Sequence, residues 1–252
     1  MFGKISGLLA LAMAAAAVLP AKAAEKPVSI VLVHGAFVDA SGWRAVYDRL
    51  TRDGYEVLVV QNPTITLKDD AAVTRRAIAK AKHPVVLVGH SYGGAVITEA
   101  GDDPKVRSLV YVAAFAPDVG ESVATLAEKP VPGEPQAPLL PPADGFLIVD
   151  PTKFAAAFAA DVDAGTTAFM ANAQNPWGIG AVGGAVTTAA WKSKPSHYLV
   201  ATEDLMVPPT AQRRMAKRIG ATIKELKASH AVMMSQPDEV VAFIESADAT
   251  PR

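Results

Sequence analysis

Short apolar runs alternate along most of the chain with stretches of helical hydrophobic periodicity. The runs lack a clean alternation of apolar and polar residues, as expected for strands buried on both faces. They cover residues 28–33, 55–60, 84–88, 106–113 and 197–201, with a weaker candidate at 222–226. The stretches between them predict helices at residues 41–52, 69–81, 92–100, 209–219 and 237–246. This order predicts one α/β domain, a mostly parallel sheet of about six strands with helices on both faces.

The alternation is interrupted between about residues 118 and 188. Prolines cluster there in KPVPGEPQAPLLPPADG, and an Ala/Phe-rich segment follows at residues 154–173. Because a structureless loop of this length is uncommon inside a compact domain, the pattern predicts an inserted cap with some helix of its own, lying over the site. Six large side chains are candidates to line a pocket, or equally to pack the cap itself: Phe154, Phe158, Phe169, Met170, Trp177 and Trp191.

The first 23 residues have the three-part layout of a secretory signal peptide. Lys4 precedes an apolar run at residues 5–19, and small residues follow at Ala21 and Ala23. The run of about 15 residues is shorter than the roughly 20 that cross a bilayer. We therefore predict cleavage after Ala23, one α/β domain over residues 24–252, and an exported protein, periplasmic or secreted, with no membrane attachment after cleavage.

Composition narrows the partners of the domain. The 252-residue chain has 24 basic and 25 acidic residues, so no basic surface indicates nucleic acid. It has no cysteine, which excludes a thiol nucleophile, a disulfide and a thiolate metal site. The sequence GIGAVG at residues 178–183 formally matches a dinucleotide motif, but the residues before it predict a loop rather than the required strand. We expect a neutral small-molecule substrate, no cofactor and no metal; the oligomeric state stays open.

The sequence Gly89-His90-Ser91-Tyr92-Gly93 has the form Gly-x-Ser-x-Gly. It directly follows the predicted strand PVVLV and directly precedes the predicted helix YGGAVITEA. A strand-to-helix elbow of this kind forces the serine into a strained backbone conformation, and the flanking glycines remove the Cβ atoms that would clash. Ser91 is therefore the candidate nucleophile.

A serine hydroxyl needs a neighbouring imidazole to take its proton. Of the five histidines, His90 is adjacent to the serine and is expected to point away, and His34 lies after the first strand. His83 and His197 have the pattern of surface residues or of residues at the start of a strand. His230 falls in the loop between the last predicted strand and the last helix. This position favours His230 as the base.

The imidazole in turn needs a carboxylate that fixes its tautomer. Asp204 follows the apolar run HYLVATE, at the carboxyl end of the penultimate strand, and gives the chain order Ser, Asp, His. Asp118, after the strand VYVAAFA, is the rival candidate. Glu203 is expected to point the opposite way from Asp204 and to be solvated.

The negative charge that develops on a substrate carbonyl oxygen needs two preorganised N–H donors. One is expected from Tyr92, the residue after the nucleophile. The second is expected from the loop His34-Gly35-Ala36-Phe37, at Ala36, although a His-Gly pair is equally compatible with a simple turn.

Five segments together resemble the methylesterase and hydroxynitrile lyase branch of the α/β-hydrolases and its bacterial esterase relatives: VLVHGAF, GHSYGG, YVAAFAPD, ATEDLMVPP and SHAVMMSQPDEV. The resemblance covers nearly the whole chain after residue 23 except the cap. It implies a serine nucleophile at Ser91, an acid at Asp204, a base at His230 and oxyanion donors at Ala36 and Tyr92.

The resemblance also separates the possible activities. Lyases of this branch carry a lysine directly after the histidine and a threonine in the oxyanion loop, whereas this chain has Ala231 and the loop His-Gly-Ala-Phe. Hydrolysis of a small carboxylic ester through an acyl-enzyme is therefore expected. The alternatives are a hydroxynitrile lyase-like reaction and a receptor-like protein that keeps a hydrolase scaffold to bind its ligand.

Overall fold

The structure, a computed structural model, describes Gly3, residues 26–128 and residues 133–248. Apart from Gly3, the predicted signal peptide lies outside these residues. The strands are β1 (Ser29–Val33), β2 (Glu56–Val60), β3 (Val85–His90), β4 (Val106–Val112), β5 (Phe146–Leu147), β6 (Trp177–Gly178), β7 (Ser196–Ala201) and β8 (Thr222–Leu226). The α-helices are α1 (Arg44–Arg52), α2 (Leu67–Lys80), α3 (Gly93–Ala100), α4 (Val123–Ala127), α5 (Phe154–Phe158), α6 (Ala164–Asn172), α7 (Ile179–Val182), α8 (Pro209–Arg218), α9 (Val232–Ser235) and α10 (Pro237–Asp248).

Six of the strands form one sheet in the order β2-β1-β3-β4-β7-β8. Every pair in it is parallel, which confirms the predicted α/β fold. Val33 pairs with Gly89, and Ala201 pairs with Leu226. The carboxyl ends of β1, β3, β4, β7 and β8 therefore meet at one edge of the sheet, where the loops that carry the candidate residues emerge.

Alternate residues of the strands contact two separate apolar layers. Val31 and Val33 pack on the face covered by α2, α3 and α8, whereas Ile30 and Leu32 pack on the face covered by α1 and α10. All residues of β1 and β3 are buried. This explains why residues 30–33 of β1 and 85–88 of β3 form continuous apolar runs without alternation.

Two helices differ in their starts from the predicted spans because of their caps. The segment predicted as one helix at residues 41–52 is a 3-10 helix, Ala40–Trp43, followed by α1. Asp39 caps it by accepting from the Ser41 N–H at 2.8 Å. Helix α2 begins at Leu67, two residues earlier than predicted, because the Thr66 hydroxyl accepts from the Asp69 N–H at 3.1 Å.

The chain between β4 and β7 carries α4 to α7 and the antiparallel pair formed by β5 and β6. The GIGAVG sequence lies here. The two-residue strand β6 comes directly before α7, so the prediction of a loop at Trp177 was wrong. The strand forms because the Gly178 N–H donates to the Thr64 carbonyl at 2.8 Å and β6 pairs with β5.

Within the described residues, no helix is both long enough and apolar enough to cross a membrane.

Candidate active site

Ser91 lies in the turn between β3 and α3 with a backbone φ of +55°, in the left-handed region that non-glycine residues rarely adopt. The turn is fixed from neighbouring strands. The Ser91 N–H donates to the Val112 carbonyl at 3.1 Å, and the Phe115 N–H donates to the Ser91 carbonyl at 3.1 Å. The strained conformation predicted for a strand-to-helix elbow is thus present at this serine.

Close backbone packing explains the glycines around the elbow. A Cβ atom at Gly89 would lie 2.5 Å from the Gly93 carbonyl oxygen. A Cβ atom at Gly35, in the loop after β1, would lie 2.7 Å from the Ser91 Cβ and 3.2 Å from its Oγ. Contacts this short are forbidden by sterics, so only glycine allows the loop after β1 to lie against the serine.

A buried acid–base pair lies on the two neighbouring loops at the same edge. The His230 Nδ1 is 2.7 Å from the Asp204 Oδ2, and the two side chains are 1% and 0% exposed. Because the Asp204 carboxylate can only accept, the His230 imidazole donates from Nδ1. Its Nε2 is then the nitrogen that can accept a proton. The Asp204 Oδ1 accepts from the N–H groups of Met206 and Val207 at 2.7 and 2.9 Å. The carboxylate is thus held by its own loop.

Gln212, which the sequence analysis did not identify, completes the support of the acid. This fully buried side chain on α8 donates through Nε2 to the Asp204 Oδ2 at 2.8 Å and to the Val207 carbonyl at 2.7 Å. Its Oε1 accepts from the Ala201 N–H at 3.1 Å. Gln212 therefore links the end of β7, the acid and the following turn. A polar residue on the buried side of an otherwise amphipathic helix was the available signal.

His90 connects the nucleophile turn to the base. Its Nε2 donates to the His230 carbonyl at 2.9 Å, and the two rings lie 4.6 Å apart. Burial, together with the neighbouring His230, places the pKa of His90 well below its ordinary value, so the ring is neutral. The residue directly before Ser91 therefore contacts the residue predicted as the base.

The loop after β1 is held by a neutral histidine. The His34 Nε2 accepts from the Asn62 N–H at 2.8 Å, so its proton is on Nδ1, which donates to the Gly35 carbonyl at 2.7 Å. Burial lowers the pKa of His34. Ala36 is buried in this loop, and Phe37 after it has a φ of +66°. The loop is thus more than a simple turn. Its backbone is strained at Phe37, and the His34 ring is hydrogen-bonded to both Asn62 and Gly35.

Tyr92 is buried at the start of α3, and its hydroxyl donates to Asp70 at 2.6 Å. The other Asp70 oxygen accepts from the Thr64 N–H at 2.8 Å. Burial raises the pKa of Asp70, partly offset by these donors, and burial also raises the pKa of Tyr92. This network fixes the residue whose backbone N–H was predicted as an oxyanion donor.

The remaining candidate residues lie elsewhere. Asp118 pairs with Lys192, with 2.5 Å between Oδ1 and Nζ, while Asp204 is the carboxylate that contacts His230. Glu203 is exposed and pairs with Lys227 at 3.5 Å, as expected for a solvated residue. His197 is buried near the start of β7, with its ring 6.1 Å from Phe243.

The large side chains in or beside the cap divide into three groups. The Phe158 ring stands edge-on to His230 at 4.8 Å and stacks on Phe154 at 4.9 Å. Trp177 contacts both Phe37 and Tyr92, with ring centroids 5.5 and 5.2 Å apart. The remaining three have other positions: Phe169 is 72% exposed, Met170 lines a small cleft beside the loop after β1, and Trp191 donates to the Pro117 carbonyl at 2.9 Å.

Among the residues that the structure describes, no group of three or more His, Asp or Glu side chains is arranged to hold a metal ion.

The sequence of residues 30–243 matches the family model described as the alpha/beta hydrolase family. The chain therefore belongs to the α/β-hydrolase family, as its resemblance to this family predicts, and it is a hydrolase.

Named relatives support the assignment to this family. The chain is 31% identical over 242 residues to the alpha/beta hydrolase nvfD of Aspergillus novofumigatus, covering 87% of this chain and 96% of the relative. It is 37% identical to a carbendazim hydrolyzing esterase of a Nocardioides species, over 43% of this chain and about half (51%) of the relative. It is 28% identical to methylesterase 7 of Arabidopsis thaliana, covering 85% of this chain and 94% of the relative.

A solved structure of a pyrethroid hydrolase shares the fold, with a TM-score of 0.74 at 24% identity, covering 88% of this chain and 98% of the other.

Proposed function

We propose that the chain hydrolyses a small carboxylic ester through an acyl-enzyme intermediate, with Ser91 as nucleophile, His230 as base and Asp204 as its orienting acid. The observation that carries this proposal is the buried 2.7 Å hydrogen bond between His230 and Asp204, beside the strained serine turn. The esterase names of relatives support the choice of substrate class.

In the proposed first half-reaction, the Ser91 Oγ attacks the ester carbonyl carbon while its proton passes to the His230 Nε2. The carbonyl oxygen becomes an anion, stabilised by the backbone N–H groups of Ala36 and Tyr92. Collapse of this intermediate breaks the carbon–oxygen bond to the alcohol. The proton on His230 passes to the departing alkoxide, so that a neutral alcohol leaves and the acyl group stays on Ser91.

In the second half-reaction a water molecule replaces the alcohol. His230 takes a proton from the water as the water oxygen attacks the acyl carbon, and returns it to the Ser91 Oγ when the acid is released. Asp204 stabilises the imidazolium in both halves, because its carboxylate accepts from the His230 Nδ1 and is oriented by the N–H groups of Met206 and Val207 and by the Gln212 amide. The neutral state of His90 favours the same step, since a second cation 4.6 Å away would oppose protonation of His230.

Removal of the Ser91 hydroxyl tests the proposal. With p-nitrophenyl acetate or butyrate as substrate, Ser91→Ala should lower kcat by at least about 10⁴-fold, the loss typical of removing a triad residue. Ser108→Ala is a matched control, because Ser108 is also a buried serine. It lies in β4, and its hydroxyl donates to the Ala247 carbonyl of α10. A Ser91→Ala enzyme that keeps the rate of the wild type would refute the nucleophile.

The same preparation distinguishes the alternatives. Release of cyanide from an aryl cyanohydrin without ester hydrolysis would indicate the lyase reaction. Tight binding of an ester without turnover would indicate a receptor-like protein. We expect ester turnover and no cyanide release.

A further inference from the structure

The residues on both sides of His230 are hydrogen-bonded to the cap. The Ser229 N–H donates to one oxygen of Asp161 at 3.0 Å, and the Ser229 hydroxyl donates to the other. On the opposite side, the Ala231 N–H donates to the Phe158 carbonyl at 2.9 Å. The loop that carries the base is therefore fixed by two cap residues as well as by the acid.

Asp161 makes this contact from outside the core. It lies between α5 and α6 as an exposed residue, whereas Ser229 and His230 are each 1% exposed. Burial alone would raise the pKa of Asp161, but hydrogen bonds, chiefly those from Ser229 with smaller contributions from Ser235 and the Asp161 backbone, hold the pKa below its ordinary value. The side chain is an anion at neutral pH, and hydrogen bonds to charged acceptors are the stronger ones.

The ring of His230 is also held between two aromatic neighbours. Phe158, three residues before Asp161, stands edge-on to it at an interplanar angle of 84°, and His90 lies on another side. The carbonyl of His230 accepts from His90 at 2.9 Å. The direction in which its free Nε2 points is therefore set jointly by Asp204, the nucleophile turn and the cap.

We propose that Asp161 is a positioning residue for the base His230. In this proposal the cap keeps the loop that carries His230 in its catalytic position, in addition to covering the site. The proposal rests on the proposed function. Proton transfer between a hydroxyl and an imidazole requires the two atoms within hydrogen-bond reach, and a displacement of about 1 Å can cost on the order of 10²-fold in rate. We expect loss of the Asp161 contacts to Ser229, the residue directly before the base, to allow such a displacement.

The test compares two aspartates of the same segment. Asp161→Ala removes both Ser229 contacts, whereas Asp163→Ala removes an equally exposed charge that only caps α6, through the Thr166 N–H at 2.9 Å. With p-nitrophenyl acetate, Asp161→Ala should lower kcat by about 10- to 100-fold with KM changed less than about threefold. Asp163→Ala should leave kcat within about twofold of the wild type.

Three further variants separate the positioning of His230 from the stability of the cap. Asp161→Asn keeps an oxygen that can accept from the Ser229 N–H, so it should recover most of kcat. Ser229→Ala removes the hydroxyl contact but keeps the N–H donor to Asp161, so it should lower kcat by no more than Asp161→Ala does. The double variant should match Asp161→Ala, because the Ser229 hydroxyl then has no carboxylate left to contact.

A spectroscopic measurement removes the dependence on turnover. The proton between the His230 Nδ1 and Asp204 should give a far-downfield proton NMR resonance in the wild type. We expect this resonance to broaden or shift in Asp161→Ala and to stay unchanged in Asp163→Ala. A resonance and a kcat that are both unaltered in Asp161→Ala would overturn the proposal, as would equal losses in the two alanine variants. Because this resonance does not require Ser91, failure of the proposed function and failure of this proposal are distinguishable.

Discussion

The nucleophile turn and the base loop are built in opposite ways. Ser91 owes its geometry to residues within a few positions of it and to the strands directly beside it. The contacts that hold His230 come from far along the chain: Asp204 is 26 residues away, His90 is 140 residues away, and Asp161 is 68 residues from Ser229. The serine turn therefore depends on close backbone packing against the adjacent strands and loop, whereas the base depends on side-chain contacts from several separate elements.

Crowding the nucleophile turn is expected to have the largest effect. In Gly35→Ala the new Cβ would meet the Ser91 Cβ at 2.7 Å, so the loop after β1 must move away from the serine and the oxyanion donor at Ala36 with it. Loss of one such donor costs about 10²- to 10³-fold in kcat, which steady-state kinetics would detect.

Gly42→Ala is the control for this substitution, because the nearest atom to its new Cβ is the flexible end of Met233 at 3.6 Å. An unchanged kcat in Gly35→Ala would show that the turn tolerates crowding and would remove the contrast between the two regions.

Removal of the glutamine that braces the acid is expected to have the next largest effect. Gln212→Leu leaves Asp204 with one donor fewer, and leaves the Ala201 N–H and the Val207 carbonyl buried without this partner. We expect a loss of about 1–3 kcal/mol in the free energy of unfolding, measured by urea denaturation, together with a lower kcat.

Arg213→Ala on the same helix is the control, since it breaks only the exposed pair with Glu225 and should cost less than about 1 kcal/mol. Equal losses in these two variants would argue against a special role for Gln212.

The smallest effect concerns acid stability. Burial keeps the pKa of His90 below that of an unfolded histidine, so the unfolded state binds more protons below about pH 6.5, and stability must fall as pH decreases through that range. His90→Gln retains a donor near the His230 carbonyl but does not titrate. Its free energy of unfolding, measured between pH 7 and pH 5, should therefore decline less steeply, by up to about 1.4 kcal/mol per pH unit.

His83→Gln provides the comparison variant, because His83 is half-buried just before β3, at the opposite end of that strand from His90. An identical pH slope for wild type and His90→Gln would mean that the folded and unfolded states do not differ in proton binding at His90.

The fold could be predicted from the sequence because the patterns that indicate it are local. The apolar runs of β1 and β3 and the glycines on both sides of Ser91 are visible within a few residues, and the family match agrees with them. Helix starts were less accurate, since the caps Asp39 and Thr66 act through single side-chain hydrogen bonds. The signal peptide, the export of the protein and the roles of the triad residues remain predictions.

The order of the main strands and helices, the position of the strained serine turn and the residue types able to accept and donate a proton can all be read from the amino-acid sequence. The folded chain was needed to find that Gln212 donates to Asp204, that His90 contacts His230 and that Asp161 of the cap accepts from Ser229. A turn is specified by steric limits on neighbouring residues, whereas a hydrogen bond between distant residues depends on how whole elements pack. No spacing along the chain records that packing.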